Sequence, residues 1–278
     1  MTSTRGLLAG RRGLIMGVAN DKSIAWGIAR AAAQHGAELA FTYQGESFGR
    51  RVQPLAESLG SEIVLDCDVA NDSDLDRVFG EIGEKWGKLD FVLHALAYSD
   101  KSQLKGRYVD ATRDNFRHTM SISTYSFTAV AQRAMKLMTD GGSLLTLTYL
   151  GAERVTPNYN VMGVAKAALE ASVRYLAADL GPEGIRVNAL SAGPMRTLAG
   201  SAIADARFVF RWSAEQAPLH RNVELDEVGS AGLYFLSDLS AGVTGEVHHV
   251  DAGYHSIGLP HPSRVNSKRD NGNGNGAK

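Results

Sequence analysis

The sequence predicts an α/β fold with a single doubly wound parallel sheet and helices on both of its faces. Short apolar runs rich in β-forming residues alternate with longer helical patterns along almost the whole chain. These runs are continuously apolar, which is typical of parallel strands that are covered on both faces. A glycine-bearing turn joins the first run to the first helical pattern, and this order is that of the dinucleotide-binding Rossmann fold.

Seven of the apolar runs are predicted as strands, at residues 13–17, 39–43, 62–66, 91–96, 143–148, 186–190 and 246–250. The helical patterns between them include residues 23–35, 73–86, 114–138, 159–180 and 226–236. Strands and helices that alternate in this way imply right-handed crossovers and one parallel sheet.

No internal repeat or linker-like break interrupts the pattern, so we predict one domain over residues 1–260. The segment 198–219 is too apolar for a solvated loop, since it contains Phe208, Phe210 and Trp212. A mobile helical lid over a hydrophobic substrate explains this segment, and so does an ordinary surface helix. Residues 261–278 are poor in apolar side chains and end in Asn-Gly repeats, so we expect them to be disordered.

The composition excludes several functional classes. Of the 278 residues 44% are hydrophobic and 21% charged, and the net charge is −1, a balance that attracts neither nucleic acid nor anionic lipid. No apolar stretch reaches the ~18 residues that span a bilayer, and no signal-peptide pattern begins the sequence. The single cysteine, Cys67, permits no internal disulfide. We therefore expect a cytoplasmic protein with no nucleic-acid or membrane partner.

The turn after the first strand has the features of a pyrophosphate site. Gly17 ends the strand, and Ser23, Ile24 and Ala25 open the next helix with small or short residues. A helix N-terminus offers free N–H groups to a phosphate, and we expect Gly27 to let this helix pack closely on its strand. The spacing differs from the common G-x-G-x-x-G, so a glycine turn without a ligand is the alternative.

Two further positions concern the adenosine end of a dinucleotide. Gln44 follows the second strand where a Rossmann fold meets the ribose, and Arg50 and Arg51 lie further on. Because no basic residue follows at once, we predict NADH rather than NADPH. Asp68, after the third strand, is suited to accept a hydrogen bond from the adenine amino group, or alternatively to cap a helix.

The fifth strand leads to candidate catalytic residues. No tyrosine is followed by lysine four residues later, the usual pattern of short-chain dehydrogenases. Instead Tyr149 follows the strand, and Tyr159 and Lys166 stand seven residues apart on the next predicted helix. That spacing puts the last two on nearly one face, about 10 Å apart along the axis.

Several motifs together resemble one family. They are Tyr159-x6-Lys166, the Gly17-x5-Ser-x-Ala-x-Gly turn, Asn158-Tyr-Asn-Val-Met-Gly, Ser191-Ala-Gly-Pro-Met-Arg-Thr-Leu198, Ser237-Asp-Leu-Ser-Ala241 and Val250-Asp-Ala-Gly253. The set resembles the bacterial enoyl-[acyl-carrier-protein] reductases, which are divergent short-chain dehydrogenases/reductases, over most of residues 7–257.

The resemblance implies an activity, a cofactor, a partner and a set of site residues. The activity is the NADH-dependent reduction of a trans-2-enoyl thioester on acyl carrier protein, in type II fatty-acid synthesis, by a homotetramer. The implied catalytic residues are Tyr149, Tyr159 and Lys166. The implied cofactor-binding residues are Gly17, Ser23, Ile24, Gln44, Asp68, Val69, Ala95, Lys166, Met195 and Thr197. The implied substrate-contacting residues are Ala97, Tyr149, Tyr159 and Met162.

One segment departs from the family pattern. Members usually read His-Ser-Ile-Gly after the fourth strand, whereas this chain has His94-Ala95-Leu96-Ala97. Ala95 removes a hydroxyl beside the cofactor, and Ala97 adds a methyl to the nicotinamide pocket. We expect weaker binding of the family's biaryl-ether inhibitors, an expectation that fails if Ala97→Gly leaves their affinity unchanged.

Two other functions remain as alternatives. A carbonyl reductase of the same superfamily conflicts with the missing Tyr-x3-Lys, and a catalytically silent dinucleotide-binding regulator conflicts with the presence of Tyr159 and Lys166. His248 and His249 are adjacent on a predicted strand and so point to opposite faces, and we predict no metal site.

Overall fold

Seven parallel strands form the sheet of this protein, whose computed structural model describes residues 6–198, 200 and 205–259. The strands, in chain order, are β1 Arg12–Met16, β2 Glu38–Tyr43, β3 Ile63–Asp66, β4 Phe91–His94, β5 Gly142–Thr148, β6 Ile185–Ala192 and β7 Val247–Val250. Their order across the sheet is β3-β2-β1-β4-β5-β6-β7. All seven predicted strands are confirmed, as is the fold class.

Eight α-helices connect the strands in the described part of the chain. They are α1 Ile24–Gln34, α2 Gly45–Ser58, α3 Asp72–Trp86, α4 Arg113–Met120, α5 Ser126–Ala134, α6 Asn160–Leu180, α7 Ala206–Gln216 and α8 Leu225–Leu236. Helix α2 was not among the predicted helices, and it contains Pro54. The predicted helix 114–138 is interrupted, because a π-helical turn at Ser121–Tyr125 separates α4 from α5.

Alternate residues of each inner strand face opposite layers of the core. In β1, Leu14 and Met16 belong to one buried cluster and Ile15 to the other. The first cluster includes Phe127 of α5, and the second includes Phe235 of α8. The sheet is therefore covered on both sides, which explains why its strands are continuously apolar.

Gly27 serves a different contact from the one that the sequence predicted. A Cβ at Gly27 would lie 2.7 Å from Leu225 Cγ, and a Cβ at Gly229 would lie 2.7 Å from the Gly27 carbonyl oxygen. These glycines let α1 pack closely against α8. The prediction that Gly27 lets α1 pack on its strand is wrong, because the close neighbour of Gly27 is α8, which lies about 200 residues further along the chain.

The strand order reverses between β1 and β4, and this position locates the site. Met16 pairs with Thr42 on one side and with His94 on the other, so the carboxyl ends of β1, β2 and β4 lie level. Ligands of open α/β sheets bind outside the carboxyl ends at such a point. Gly17, Gln44 and Ala95 follow these three strand ends, and the predicted catalytic residues follow β5, the neighbour of β4 in the sheet.

Candidate active site

The turn after β1 is pressed against the end of β4. Gly17 has a φ of 102°, and a Cβ there would lie 2.2 Å from the carbonyl oxygen of Ala95. Only glycine fits this conformation and this gap. The bare backbone on either side of the turn is the kind of cradle that a pyrophosphate needs.

Ser23 holds the turn in shape. It is the N-cap of α1, and its hydroxyl oxygen accepts hydrogen bonds from the backbone N–H groups of Ala19 and Asn20, at 3.0 and 3.1 Å. The N–H groups of Ile24 and Ala25, the first two residues of α1, precede the first helical hydrogen bond and can therefore donate to an anion. The residues at this turn therefore fit a dinucleotide pyrophosphate.

The adenosine end of the predicted site carries acidic groups. Gln44 is the N-cap of α2, and the backbone N–H of Gly45 donates to Asp66 Oδ1 at 2.7 Å. Arg50 pairs instead with Glu46, its Nη1 lying 3.4 Å from the Glu46 carboxylate. The negative charge of these carboxylates favours a ribose with free hydroxyls over one that carries a 2′-phosphate.

Asp68 does not cap a helix, so that alternative is wrong. Its Oδ1 accepts a hydrogen bond from the Ala70 N–H at 2.9 Å, and the N-cap of α3 is Asn71. Val69 follows it and packs against the core cluster of α3 and α5. Because an ionised carboxylate has two acceptor oxygens, Asp68 can accept further hydrogen bonds.

The two predicted tyrosines are in contact. The ring centroids of Tyr149 and Tyr159 lie 5.2 Å apart at an angle of 76°, and Tyr159 is only 7% exposed. A Cβ at Gly151 would lie 2.4 Å from Tyr159 Cδ1. Leu104, Val161 and Met162 complete this apolar cluster.

Burial keeps both tyrosines in the neutral form. It raises the pKa of Tyr149 to about 12 and raises the pKa of Tyr159 well above its ordinary value, with the neighbouring tyrosine adding to the effect at Tyr159. Each hydroxyl is therefore a hydrogen-bond donor at neutral pH.

Lys166 is buried on the second turn of α6 and anchored to β5. Its Nζ donates to the carbonyl oxygen of Leu147 at 2.8 Å. Burial lowers the pKa of Lys166 to about 8, and the carboxylate of Glu170 opposes this shift. Tyr159 itself is the N-cap of α6, which begins one residue later than predicted.

Three consecutive residues at the end of β5 contact three residues of the α6 region. Leu147 accepts from Lys166, the Thr148 hydroxyl donates to Glu170 Oε1 at 2.6 Å, and Tyr149 packs on Tyr159. The predicted catalytic residues are thus brought together by one strand end. Glu170 and Gly151 were missed from the sequence, since no motif marked them.

A second group of polar residues supports this arrangement from the other side. His94 is fully buried and lies 2.8 Å from the Ser126 hydroxyl and 3.1 Å from the Thr146 hydroxyl. Burial lowers the pKa of His94 to about 3, so its ring is neutral. In the π-helical turn, Thr124 donates to the carbonyl oxygen of Ala165, beside Lys166, at 2.8 Å. Interruptions of this kind occur often at functional sites.

The remaining predicted residues lie around the same edge. Ala95 and Met195 pack against the cluster that includes α1 and α8, whereas Ala97 is exposed. Thr197 donates its backbone N–H to Met195 and accepts from the Gly200 N–H, both at 2.9 Å.

The predicted lid segment contains one described helix, α7. Phe208 and Trp212 stack at 5.9 Å on it, and the Arg196 guanidinium lies 4.9 Å from the Phe210 ring centroid. Residues 199 and 201–204 of this segment, and the predicted disordered tail 261–278, lie outside the described residues.

The sequence predicts neither a metal site nor a membrane-spanning segment. In the described ranges, no group of three or more histidine, cysteine, aspartate or glutamate side chains is arranged to hold a metal ion. Within the same part of the chain, no helix combines the length and apolarity needed to cross a membrane. His249 is engaged elsewhere, since its Nε2 lies 2.7 Å from Glu153 Oε1.

Comparison with known proteins gives the family. Residues 17–255 match the family described as enoyl-(acyl carrier protein) reductase. The chain belongs to this family. It is 62% identical over 259 residues to enoyl-[acyl-carrier-protein] reductase [NADH] 1 of Rhizobium meliloti, with 93% of this chain and 95% of the relative covered.

Solved structures of other reductases of this family have the same fold. The Anaplasma phagocytophilum reductase, in complex with NAD, is 58% identical with a TM-score of 0.90, covering 93% of this chain and 98% of that one. The Bacillus cereus reductase, with NADP+ and an indole naphthyridinone, is 52% identical with a TM-score of 0.90, covering 91% and 100%. Relatives at similar distance thus hold different nicotinamide dinucleotides.

Proposed function

We propose that the protein reduces a trans-2-enoyl thioester carried by acyl carrier protein to the saturated acyl thioester, with NADH, in type II fatty-acid synthesis. The observation that supports this most directly is the end of β5, which holds Lys166 through Leu147 and packs Tyr149 on Tyr159. The family membership of the chain agrees with it.

The residues assigned to the dinucleotide form three groups, one for each part of the cofactor. Gly17, Ser23 and Ile24 hold the pyrophosphate at the start of α1. Gln44, Asp68 and Val69 line the adenosine. The nicotinamide half lies among Ala95, Lys166, Met195 and Thr197. When bound, NADH supplies the hydride for the β-carbon of the enoyl group.

Tyr159 acts on the thioester carbonyl. Hydride addition at the β-carbon leaves an enolate with negative charge on the thioester oxygen, and the neutral Tyr159 hydroxyl donates a hydrogen bond there. A proton drawn ultimately from solvent then adds at the α-carbon and completes the saturated thioester. A donor fixed in a buried, apolar setting stabilises such a charge more than water does. Tyr149 and Met162 shape the space for the acyl chain, and Ala97 lies at its entrance.

Lys166 orients the cofactor and sets the local charge. Its ammonium group donates to the nicotinamide ribose hydroxyls while the Leu147 carbonyl fixes its position. The positive charge also favours strong hydrogen-bond donation by nearby hydroxyls.

Partners and location belong to the same proposal. Tyr125, the last residue of the π-helical turn, is 53% exposed, and Tyr175 on α6 is 76% exposed. These exposed rings support burial of the two segments against further copies in a homotetramer. The acyl carrier protein presents the substrate, and α7, the described helix of the predicted lid segment, covers it. The single cysteine agrees with a cytoplasmic location.

Substrate choice tests the proposal. We expect the purified protein to oxidise NADH with a trans-2-enoyl thioester and not with a 3-ketoacyl thioester. Turnover of the ketoacyl substrate alone would make the protein a carbonyl reductase. Tight NADH binding without turnover of either would make it a silent regulator.

A further inference from the structure

The backbone on both sides of Tyr159 is left-handed. The φ angle is 61° at Asn158 and 37° at Asn160, whereas Tyr159 between them has a φ of −106°. Residues other than glycine rarely adopt positive φ, although asparagine does so more readily than most. Such a conformation persists only where the surrounding structure holds it.

Each asparagine is held by a distant segment. Asn158 Nδ2 donates to Asp205 Oδ2 at 3.0 Å, across 47 residues of sequence. Asn160 Nδ2 donates to the carbonyl oxygen of Gly106 at 3.2 Å, across 54 residues. The two residues that flank Tyr159 are therefore each tied to a separate segment of the chain.

Asp205 is specialised for this contact. It is the N-cap of α7, where aspartate usually adopts an extended conformation and accepts a hydrogen bond from the helix. Here its φ is 58°, and its side chain makes no capping hydrogen bond. Its carboxylate accepts instead from Asn158, so it binds the residue next to Tyr159 and does not cap α7.

We propose that Asn158 and Asp205 are a positioning pair for Tyr159, an inference that rests on the proposed function of that tyrosine. Tyr159 is the N-cap of α6, and its carbonyl oxygen accepts from the Met162 N–H at 2.9 Å, so the direction of its ring depends on the backbone at 158–160 as well as on the helix. Gly151 forms the wall on which the ring rests. Without the pair, the left-handed turn relaxes and the hydroxyl moves away from the thioester oxygen.

The test compares five variants with the wild-type protein. They are Asn158→Ala, Asp205→Ala, the double alanine variant, Asn158→Gly, which keeps the left-handed backbone without the amide, and the exchange Asn158→Asp/Asp205→Asn, which restores a hydrogen bond in the opposite direction. The control is Asn222→Ala, since Asn222 Nδ2 donates to the Phe210 carbonyl at 2.8 Å and so fixes α7 without contacting the Tyr159 turn. For each protein, kcat and KM for the enoyl thioester, the NADH Kd and the Tm are measured.

We expect kcat to fall about ten-fold or more in both alanine variants and in Asn158→Gly, because small misplacements of catalytic groups are costly. KM and the NADH Kd stay within about two-fold of wild type. The double variant loses no more than either single variant, and the exchange recovers most of the lost rate.

Several outcomes would overturn the proposal that Asn158 and Asp205 position Tyr159. One is a wild-type kcat in Asn158→Ala and Asp205→Ala, and another is a double variant whose loss of kcat equals the two single losses combined. A third is an exchange variant that stays inactive while its Tm and NADH Kd are normal. A fourth is a loss of kcat in Asn222→Ala as large as that in the pair variants. Wild-type kcat in Asn158→Gly would assign the effect to the backbone angle alone and overturn the role of the amide. A wild-type protein that binds NADH but reduces no enoyl thioester would refute the proposed function itself, before any variant is compared.

Discussion

The Tyr159 ring rests on Gly151, where a side chain would collide with it. A Cβ at Gly151 would lie 2.4 Å from Tyr159 Cδ1 and 2.7 Å from Cε1. We predict that Gly151→Ala displaces the ring and lowers kcat for the enoyl thioester about ten-fold or more. The NADH Kd should not change, because a Cβ at Gly151 meets the rings of Tyr159 and Tyr149, and neither is assigned to the dinucleotide. Steady-state kinetics and a fluorescence titration with NADH measure both quantities.

The matched control is Gly80→Ala on α3. A Cβ at Gly80 meets nothing within 4 Å, so this change should leave kcat unchanged and raise the free energy of unfolding by up to about 1 kcal/mol. Equal kcat values for the Gly151 and Gly80 variants would show that Tyr159 needs no such wall.

Gly17 limits the space at the cofactor turn. Gly17→Ala combines a left-handed φ of 102° with a contact of 2.2 Å to the Ala95 carbonyl oxygen. We expect a loss of roughly 3 kcal/mol in the free energy of unfolding and a large rise in the NADH Kd. Gly10→Ala is the control, since Gly10 has a φ of 75° with nothing within 4 Å of a Cβ. If both variants lose the same stability and bind NADH normally, the close approach at Gly17 is unimportant.

The buried Lys166 makes stability depend on pH in an unusual direction. The pKa of Lys166 is lowered by burial from 10.5 to about 8, so between these pH values the unfolded chain binds a proton that the folded chain does not. The free energy of unfolding from this residue therefore rises with pH across that window, by at most roughly 3 kcal/mol. Urea denaturation without NADH should show a steeper rise in the wild-type protein than in Lys166→Met. Identical pH profiles would mean that Lys166 is not desolvated.

Asp66 should influence the choice between NADH and NADPH. Its carboxylate accepts from the Gly45 N–H at 2.7 Å, beside the predicted ribose position, and a 2′-phosphate there would meet like charge. We predict that Asp66→Asn raises kcat/KM for NADPH about five- to ten-fold and changes that for NADH little. Asp72→Asn, on α3 beyond the site, is the charge-matched control. An unchanged ratio of the two cofactors in Asp66→Asn would exclude this role.

The strands could be predicted from the sequence because the sheet that they form is covered on both faces. That burial requires a continuous apolar run, which is visible within the few residues of each strand. Residue 17 could be predicted as glycine-dependent for a similar reason, since a strand, a turn and a helix follow one another there. Tyr159 and Lys166 stood out by their spacing and Tyr149 by its place after the fifth strand, and their contacts pass through one strand end.

The features that were missed depend on partners far away in sequence. Gly151 needs the ring of Tyr159, Gly27 needs α8, and Asp205 needs Asn158, and no local pattern carries these pairings. The π-helical turn was missed because residues 114–138 keep a helical pattern throughout, and helix α2 because a proline usually ends a helix. Tertiary packing decides all of these.

The central claim is that Tyr159 and Lys166 act together, with separate tasks, when NADH reduces the enoyl thioester. The most direct test is a stopped-flow measurement of NADH oxidation by wild-type protein, Tyr159→Phe and Lys166→Met with a trans-2-enoyl thioester. We expect Tyr159→Phe to keep the NADH Kd and lose the hydride-transfer rate by about a hundred-fold, as removal of one oxyanion donor does. Lys166→Met should lose NADH affinity as well. Hydride transfer at the wild-type rate in Tyr159→Phe would contradict the account.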